Sequence, residues 1–151
     1  MKRKLRWVSK AATLAIHEAL LATHGGKAGL RDEGLLDSAL AAPINLFAYE
    51  QADIFRLAAA YAHALTRSHP FLDGNKRVAL TIAGVFLELN GFRLEAPEAD
   101  AVRATLALSK HELRESDFAT WLRDSSSTVR RTETSRGGRR AAPSRQPRTS
   151  R

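Results

Sequence analysis

The chain reads as an all-α bundle around a buried central helix, with room for at most one small β-hairpin flap. Three observations predict this. Apolar residues recur at helical spacing through much of the chain, as in Ile54, Leu57, Ala58, Tyr61, Ala62 and Leu65. The run Val78, Ala79, Leu80, Ile82, Ala83, Val85, Phe86, Leu87 and Leu89 leaves almost no polar face, so its helix belongs among the others. Few segments alternate apolar and polar residues as a half-buried strand does.

The elements follow in order. Ser9 is placed to cap a helix carrying Leu14, His17, Leu20 and Leu21, and Gly25-Gly26 is able to end it in left-handed geometry. Asp32 caps a second, short helix with Leu36, Ala39 and Leu40 inward, and Pro43 is expected to end it. Pro43 to Gln51, with Phe47 and Tyr49, reads as a loop or short extended flap. Asp53 opens the amphipathic helix already named, and Asn90-Gly91 closes the apolar one that starts at Val78. Pro97 suits the first position of a helix through Leu108, and Ser116 caps a last helix bearing Phe118, Trp121 and Leu122.

Composition divides the chain in two. Residues 1–124 form one domain, and 125–151 a tail rich in Arg, Ser and Thr that lacks the apolar surface to offset its ordering entropy and is expected to be disordered. That tail has eight arginines and one glutamate, so it carries nearly all of the net charge of +8 and leaves residues 1–124 close to neutral. Basicity therefore gives no support to a nucleic-acid-binding fold, and any contact with nucleic acid falls to the tail. The absence of cysteine excludes disulfides and thiolate metal sites. Lys10, His17 and Glu18 interrupt the apolar stretch after the basic N-terminus, and no apolar run is long enough to span a bilayer, so a soluble cytoplasmic protein is expected.

Chemistry concentrates in His69-Pro70-Phe71-Leu72-Asp73-Gly74-Asn75-Lys76-Arg77, directly before the apolar helix. A loop ending at a helix N-terminus offers unpaired N–H groups and the positive end of the dipole to an anion. Lys76 and Arg77 add full charges to neutralise phosphate oxygens, Gly74 lets the backbone come close, and Asn75 has an amide to donate. Asp73 is a candidate ligand for Mg²⁺, which favours one or two carboxylates with phosphate oxygens and water. His69 has the chemistry of a general base near neutral pH. Phe71 reads as the apolar anchor of the loop, with Pro70 stiffening its entry. A polyphosphate with magnesium suits such a site.

The same string resembles the His-x-Phe-x-(Asp/Glu)-Gly-Asn-x-Arg motif of the Fic/Doc (Fido) family, with every fixed position filled. Trp7-Val8-Ser9, His24-Gly25-Gly26, Gly29-Leu30-Arg31-Asp32, Gly34-Leu35-Leu36 and Leu89-Asn90-Gly91 look like its death-on-curing (Doc) branch. The resemblance covers about residues 5 to 124 and implies the Fic/Doc helical fold. It implies His69 as base toward a target hydroxyl, Asp73 at the metal and Gly74, Asn75, Lys76 and Arg77 at the phosphates. AMP-transferring members usually have Gly where Lys76 stands and a second arginine where Leu80 stands. The pattern here is similar to Doc, although Val78 replaces a common Thr. It implies ATP bound with its γ-phosphate toward His69, and transfer of phosphate to a protein Ser or Thr. The implied target is elongation factor Tu, whose modification blocks translation.

No Ser or Thr is followed four residues later by Glu, so the inhibitory motif of many Fic enzymes is absent. The resemblance then implies a type II toxin restrained by a Phd-like antitoxin that folds onto it. Two alternatives stand beside this reading: a Fic-type AMP or nucleotidyl transferase, and a non-enzymatic, basic-tailed binding module whose motif is a structural anion loop. His17 and His63 read as structural or surface residues within helices, His24 as part of a helix end, and Trp121 as core. Phe47 and Tyr49 are equally suited to a target groove or to flap packing.

Overall fold

Six helices and two short strands follow one another among the described residues, which are 4–129 of the computed structural model. They are α1 (Lys10–His24), α2 (Glu33–Glu50), α3 (Ile54–Ser68), α4 (Asn75–Leu89), β1 (Phe92–Leu94), α5 (Glu98–Ser109), α6 (Glu115–Asp124) and β2 (Ser126–Thr128). The first three helices begin as their sequences dictate. Side-chain oxygens of Ser9, Asp32 and Asp53 accept from the N–H groups of Ala12, Leu35 and Arg56, each satisfying a donor that has no partner inside the helix. Gly25 and Gly26, at φ 82° and 120°, end α1.

Four helix boundaries differ from expectation, two of them slightly: α4 starts at Asn75 rather than Val78, and Pro97 is the N-cap of α5 rather than its first residue. Pro43 does not end α2: the helix runs on through it to Glu50, and the expected loop or flap at 43–51 is helical almost throughout. A proline inside a helix costs about 3 kcal/mol through its missing N–H and ring clash. Here its ring is buried, and Leu46 and Phe47 beyond it pack on the core, with Phe47 edge-on to Trp7 at 6.1 Å. Tertiary packing overrides the local signal. In α6, Arg114 rather than Ser116 is the cap residue, with Ser116 inside the first turn; Phe118 and Leu122 are buried, and the half-buried Trp121 packs on the core.

The centre belongs to α3 more than to α4. Helix α3 packs against α2, α4, α5 and α6, and buries every residue from Leu57 to Ala62. Helix α4 packs against α3, α1, α5 and β1, while Leu80 and Val85 stay half-buried and Leu89 is exposed. The N-terminal segment crosses this core: Trp7 stacks on Phe86 at 5.6 Å, the Val8 N–H donates to the Tyr61 hydroxyl at 3.0 Å, and Asn90 exchanges hydrogen bonds with the Arg6 backbone.

The one small sheet among the described residues is not a hairpin flap. β1 and β2 pair antiparallel across the intervening α5 and α6, with Phe92 opposite Thr128 and Leu94 opposite Ser126. The sequence boundary after residue 124 is therefore early: Ser126–Thr128 belongs to the fold, because a strand can pair on backbone groups alone without apolar side chains. The rest of the expected disordered tail, 130–151, lies outside the described residues. No helix of the described chain is long and apolar enough to cross a membrane.

Candidate active site

The motif joins the end of α3 to the start of α4. His69 is the C-cap of α3, exposed, with its backbone in the left-handed region at φ 50° and ψ 58°. Non-glycine residues rarely enter that region, at a cost of roughly 1–3 kcal/mol. Hydrogen bonds at both ends hold it there. The His69 N–H donates to Leu65 O, and Arg31 donates from Nε to His69 O and from Nη2 to Ser68 O, both at 2.7 Å. Arg31 thus supplies donors to the last carbonyls of α3, which carry the negative end of its dipole.

The segment before α2 runs beside the motif and fixes it. Leu30 bridges Phe71 in antiparallel fashion, the Arg31 and Asp32 N–H groups donate to Pro70 O, and the Leu72 N–H donates to Gly29 O. Phe71 is buried.

Asn75 has a structural role that its expected one did not include. Its side chain is buried, its Oδ1 accepts from the Phe71 N–H at 3.0 Å, and its Nδ2 donates to Phe71 O at 2.9 Å. An amide engaged at both ends with the loop backbone clamps the loop and leaves one Nδ2 N–H without a hydrogen-bond partner among the described residues.

Helix α4 begins at Gly74, at φ 80°, without a side-chain capping bond and without an acid in its first turn. Lys76 and Arg77 are exposed there, and no carboxylate among the described residues pairs with either. The other helices are answered at this end: α1, α2 and α3 by capping side chains, α5 by Glu98 and Asp100, α6 by Glu115 and Asp117. The open N–H groups, the dipole and two cations have the chemistry that suits a multiply charged anion.

Asp73 stands at its edge, exposed. Its Oδ1 accepts from the Gly74 N–H at 2.9 Å and its Oδ2 from the Lys27 N–H at 3.2 Å. Each oxygen keeps further acceptor capacity, which suits a hard divalent cation. The described residues contain no cluster of three or more His, Cys, Asp or Glu side chains able to hold a metal. A cation at Asp73 would take its other ligands from phosphate and water, as magnesium does.

Three contributors were not legible as such: Gly26, where a Cβ would meet Asp73 Oδ2 at 2.8 Å; Arg31; and His17, whose ring lies on Phe71. Spacing gave no sign of them, since each acts on residues 37 or more positions away. His24 is exposed in the last turn of α1, and Tyr49 is exposed at the end of α2.

Residues 7–87, from the N-terminal segment through most of α4, match the Fic/DOC family. The chain belongs to the Fic/Doc family. Protein kinase doc of Escherichia phage P1 is 35% identical to it over 96 residues, covering 62% of this chain and 76% of that protein. Toxin Doc of Mycolicibacterium smegmatis is 38% identical over 98 residues, covering 62% of this chain and 73% of its own. Both relatives place this Fic/Doc chain in the Doc branch. The matched region holds the motif loop, α1 behind it and the Gly29–Asp32 segment beside it, so it includes every element that shapes the site.

Proposed function

We propose that this chain is a Doc-like toxin that transfers phosphate from ATP to a Ser or Thr hydroxyl of a protein. The observation that carries the reading is the uncapped, doubly cationic first turn of α4, six residues after an exposed histidine at the end of α3. The name of the phage P1 relative supports phosphate as the transferred group.

His69 takes the proton from the target hydroxyl as its oxygen bonds to the γ-phosphorus. The bond from that phosphorus to the β–γ bridging oxygen breaks, and ADP leaves with the electron pair. Lys76, Arg77 and the first-turn N–H groups stabilise charge on the phosphate oxygens, where fixed donors contribute most. Magnesium, held by Asp73 when bound, supplies further neutralisation. Elongation factor Tu is the target the resemblance implies, and the restraining partner is a small antitoxin that folds onto the toxin.

Mass spectrometry of elongation factor Tu after incubation with the protein, ATP and Mg²⁺ tests this. A single added phosphate is expected, and His69→Ala should lower its rate about 10²–10⁴-fold, the usual contribution of a general base. An added AMP would replace phosphotransfer with nucleotidyl transfer; an unmodified factor would remove it as the target. An undiminished His69→Ala rate would remove His69 as the base.

A further inference from the structure

Two contacts tie α1 to the motif loop, and neither belongs to a reacting group. The buried His17 ring lies nearly flat on Phe71, with centroids 3.8 Å apart and planes at 15°. Its Nε2 stands 2.9 Å from the Asp73 carbonyl oxygen. A carbonyl only accepts, so Nε2 is the protonated nitrogen.

The peptide between Asp73 and Gly74 is the joint that this bond controls. Gly74, at φ 80°, occupies a region that glycine enters without steric cost. The glycine therefore does little to decide which way the preceding peptide faces. In a trans peptide the C=O and N–H point in opposite directions. With the carbonyl held by His17, the Gly74 N–H faces away and meets Asp73 Oδ1. Oδ2 is fixed by the Lys27 N–H against Gly26, which has no Cβ to displace it. A reversed peptide would break the hydrogen bond to Oδ1. It would also turn a carbonyl oxygen toward the carboxylate, where it would repel an incoming phosphate.

We propose that His17 is a positioning residue: its Nε2–H holds the Asp73–Gly74 peptide in the one orientation that presents both the carboxylate and the α4 N-terminus to a polyphosphate. The inference rests on the phosphate and metal roles proposed above, and it adds a residue on α1 that touches neither ligand.

Two substitutions separate ring from donor. His17→Phe keeps a flat ring against Phe71 and removes the N–H; His17→Gln keeps an amide donor and removes the ring. The full-length proteins are titrated with AMP-PNP across a series of Mg²⁺ concentrations, and amide ¹⁵N spectra are taken without ligand. His17→Phe is expected to bind about tenfold more weakly, within the range that small misplacements cost. It should also need more Mg²⁺ for half-saturation and show a shifted Gly74 resonance. His17→Gln should restore most of the affinity and the resonance, and both should melt within roughly 5 °C of wild type. Wild-type affinity with an unmoved Gly74 resonance in His17→Phe overturns the proposal, as does a Gln variant no better than Phe. Should wild type fail to bind AMP-PNP with Mg²⁺, the phosphate reading falls, and the ligand-free Gly74 resonance alone decides for or against His17. If His17→Phe melts early, the ring ¹⁵N shifts of wild type decide: protonation at Nε2 supports the proposal and protonation at Nδ1 overturns it.

Discussion

Helices α3 and α4 are neighbours of equal length that begin in opposite ways. Helix α3 starts at Asp53, whose Oδ1 accepts from the Arg56 N–H while Oδ2 pairs with Arg123 at 2.7 Å. Helix α4 starts at a glycine, has no capping side chain, and carries two cations where the dipole favours anions. The first arrangement stabilises a helix; the second leaves a stabilising contribution unmade. Burial of Val78, Ile82, Phe86 and Leu87 against α3 and the rest of the core supplies the stability that the α4 terminus lacks. A helix start that is poor for stability, on a helix otherwise well packed, is the local conflict that the proposed polyphosphate site accounts for.

The difference can be broken from either side. Making α4 resemble the other helices should have the largest effect: Lys76→Glu adds an acid to its first turn. Nucleotide affinity should fall about 10²-fold, since like charges set against each other cost several kcal/mol, while the melting temperature holds or rises because the dipole is now answered. Calorimetric titration with AMP-PNP and a thermal melt read the two effects separately, and a variant that binds normally would dissociate this turn from the anion. Asn75→Ala comes next, leaving the Phe71 N–H and carbonyl without their partner. A cost of about 2 kcal/mol is expected in urea unfolding; a neutral result would mean that the clamp is dispensable. Asp53→Ala should cost about 1 kcal/mol and leave AMP-PNP affinity unchanged, which would confirm that the α3 start serves stability alone.

The smallest effect concerns pH. Burial holds the His63 imidazole below its ordinary pKa, Glu115 opposes this, and Arg67 and His111 add to the lowering. The unfolded chain therefore takes up the proton first. The stability linked to this group is complete above about pH 6.5 and is lost as pH falls from there through the folded value. Melts between pH 7.5 and 5 should show a steeper loss for wild type than for His63→Gln, and parallel curves would exclude the linkage.

Features that depend on nearest neighbours were legible in the sequence. The caps at Ser9, Asp32 and Asp53 are contacts across three residues, and the motif has its chemistry in nine consecutive positions. Long-range compensation was not legible. The cost of Pro43 is visible at the proline, while the packing of Phe47 on Trp7 that offsets it spans 40 positions. Asn75 has the right chemistry for a phosphate, and only the fold reveals that Phe71 already occupies both ends of its amide. His17 looked like an ordinary helical histidine because Asp73 lies 56 residues away.

The pairing of β2 with β1 bears on how the protein is handled. Composition alone would invite trimming after residue 124. A protein cut there would keep β1 and lose Ser126–Thr128, exposing one backbone edge beside the partly buried Phe92 and Leu94. Unpaired edges of that kind recruit other chains. Precipitation of the shortened protein would then report a missing strand rather than any property of the basic tail, and a cut placed after Val129 would tell the two apart.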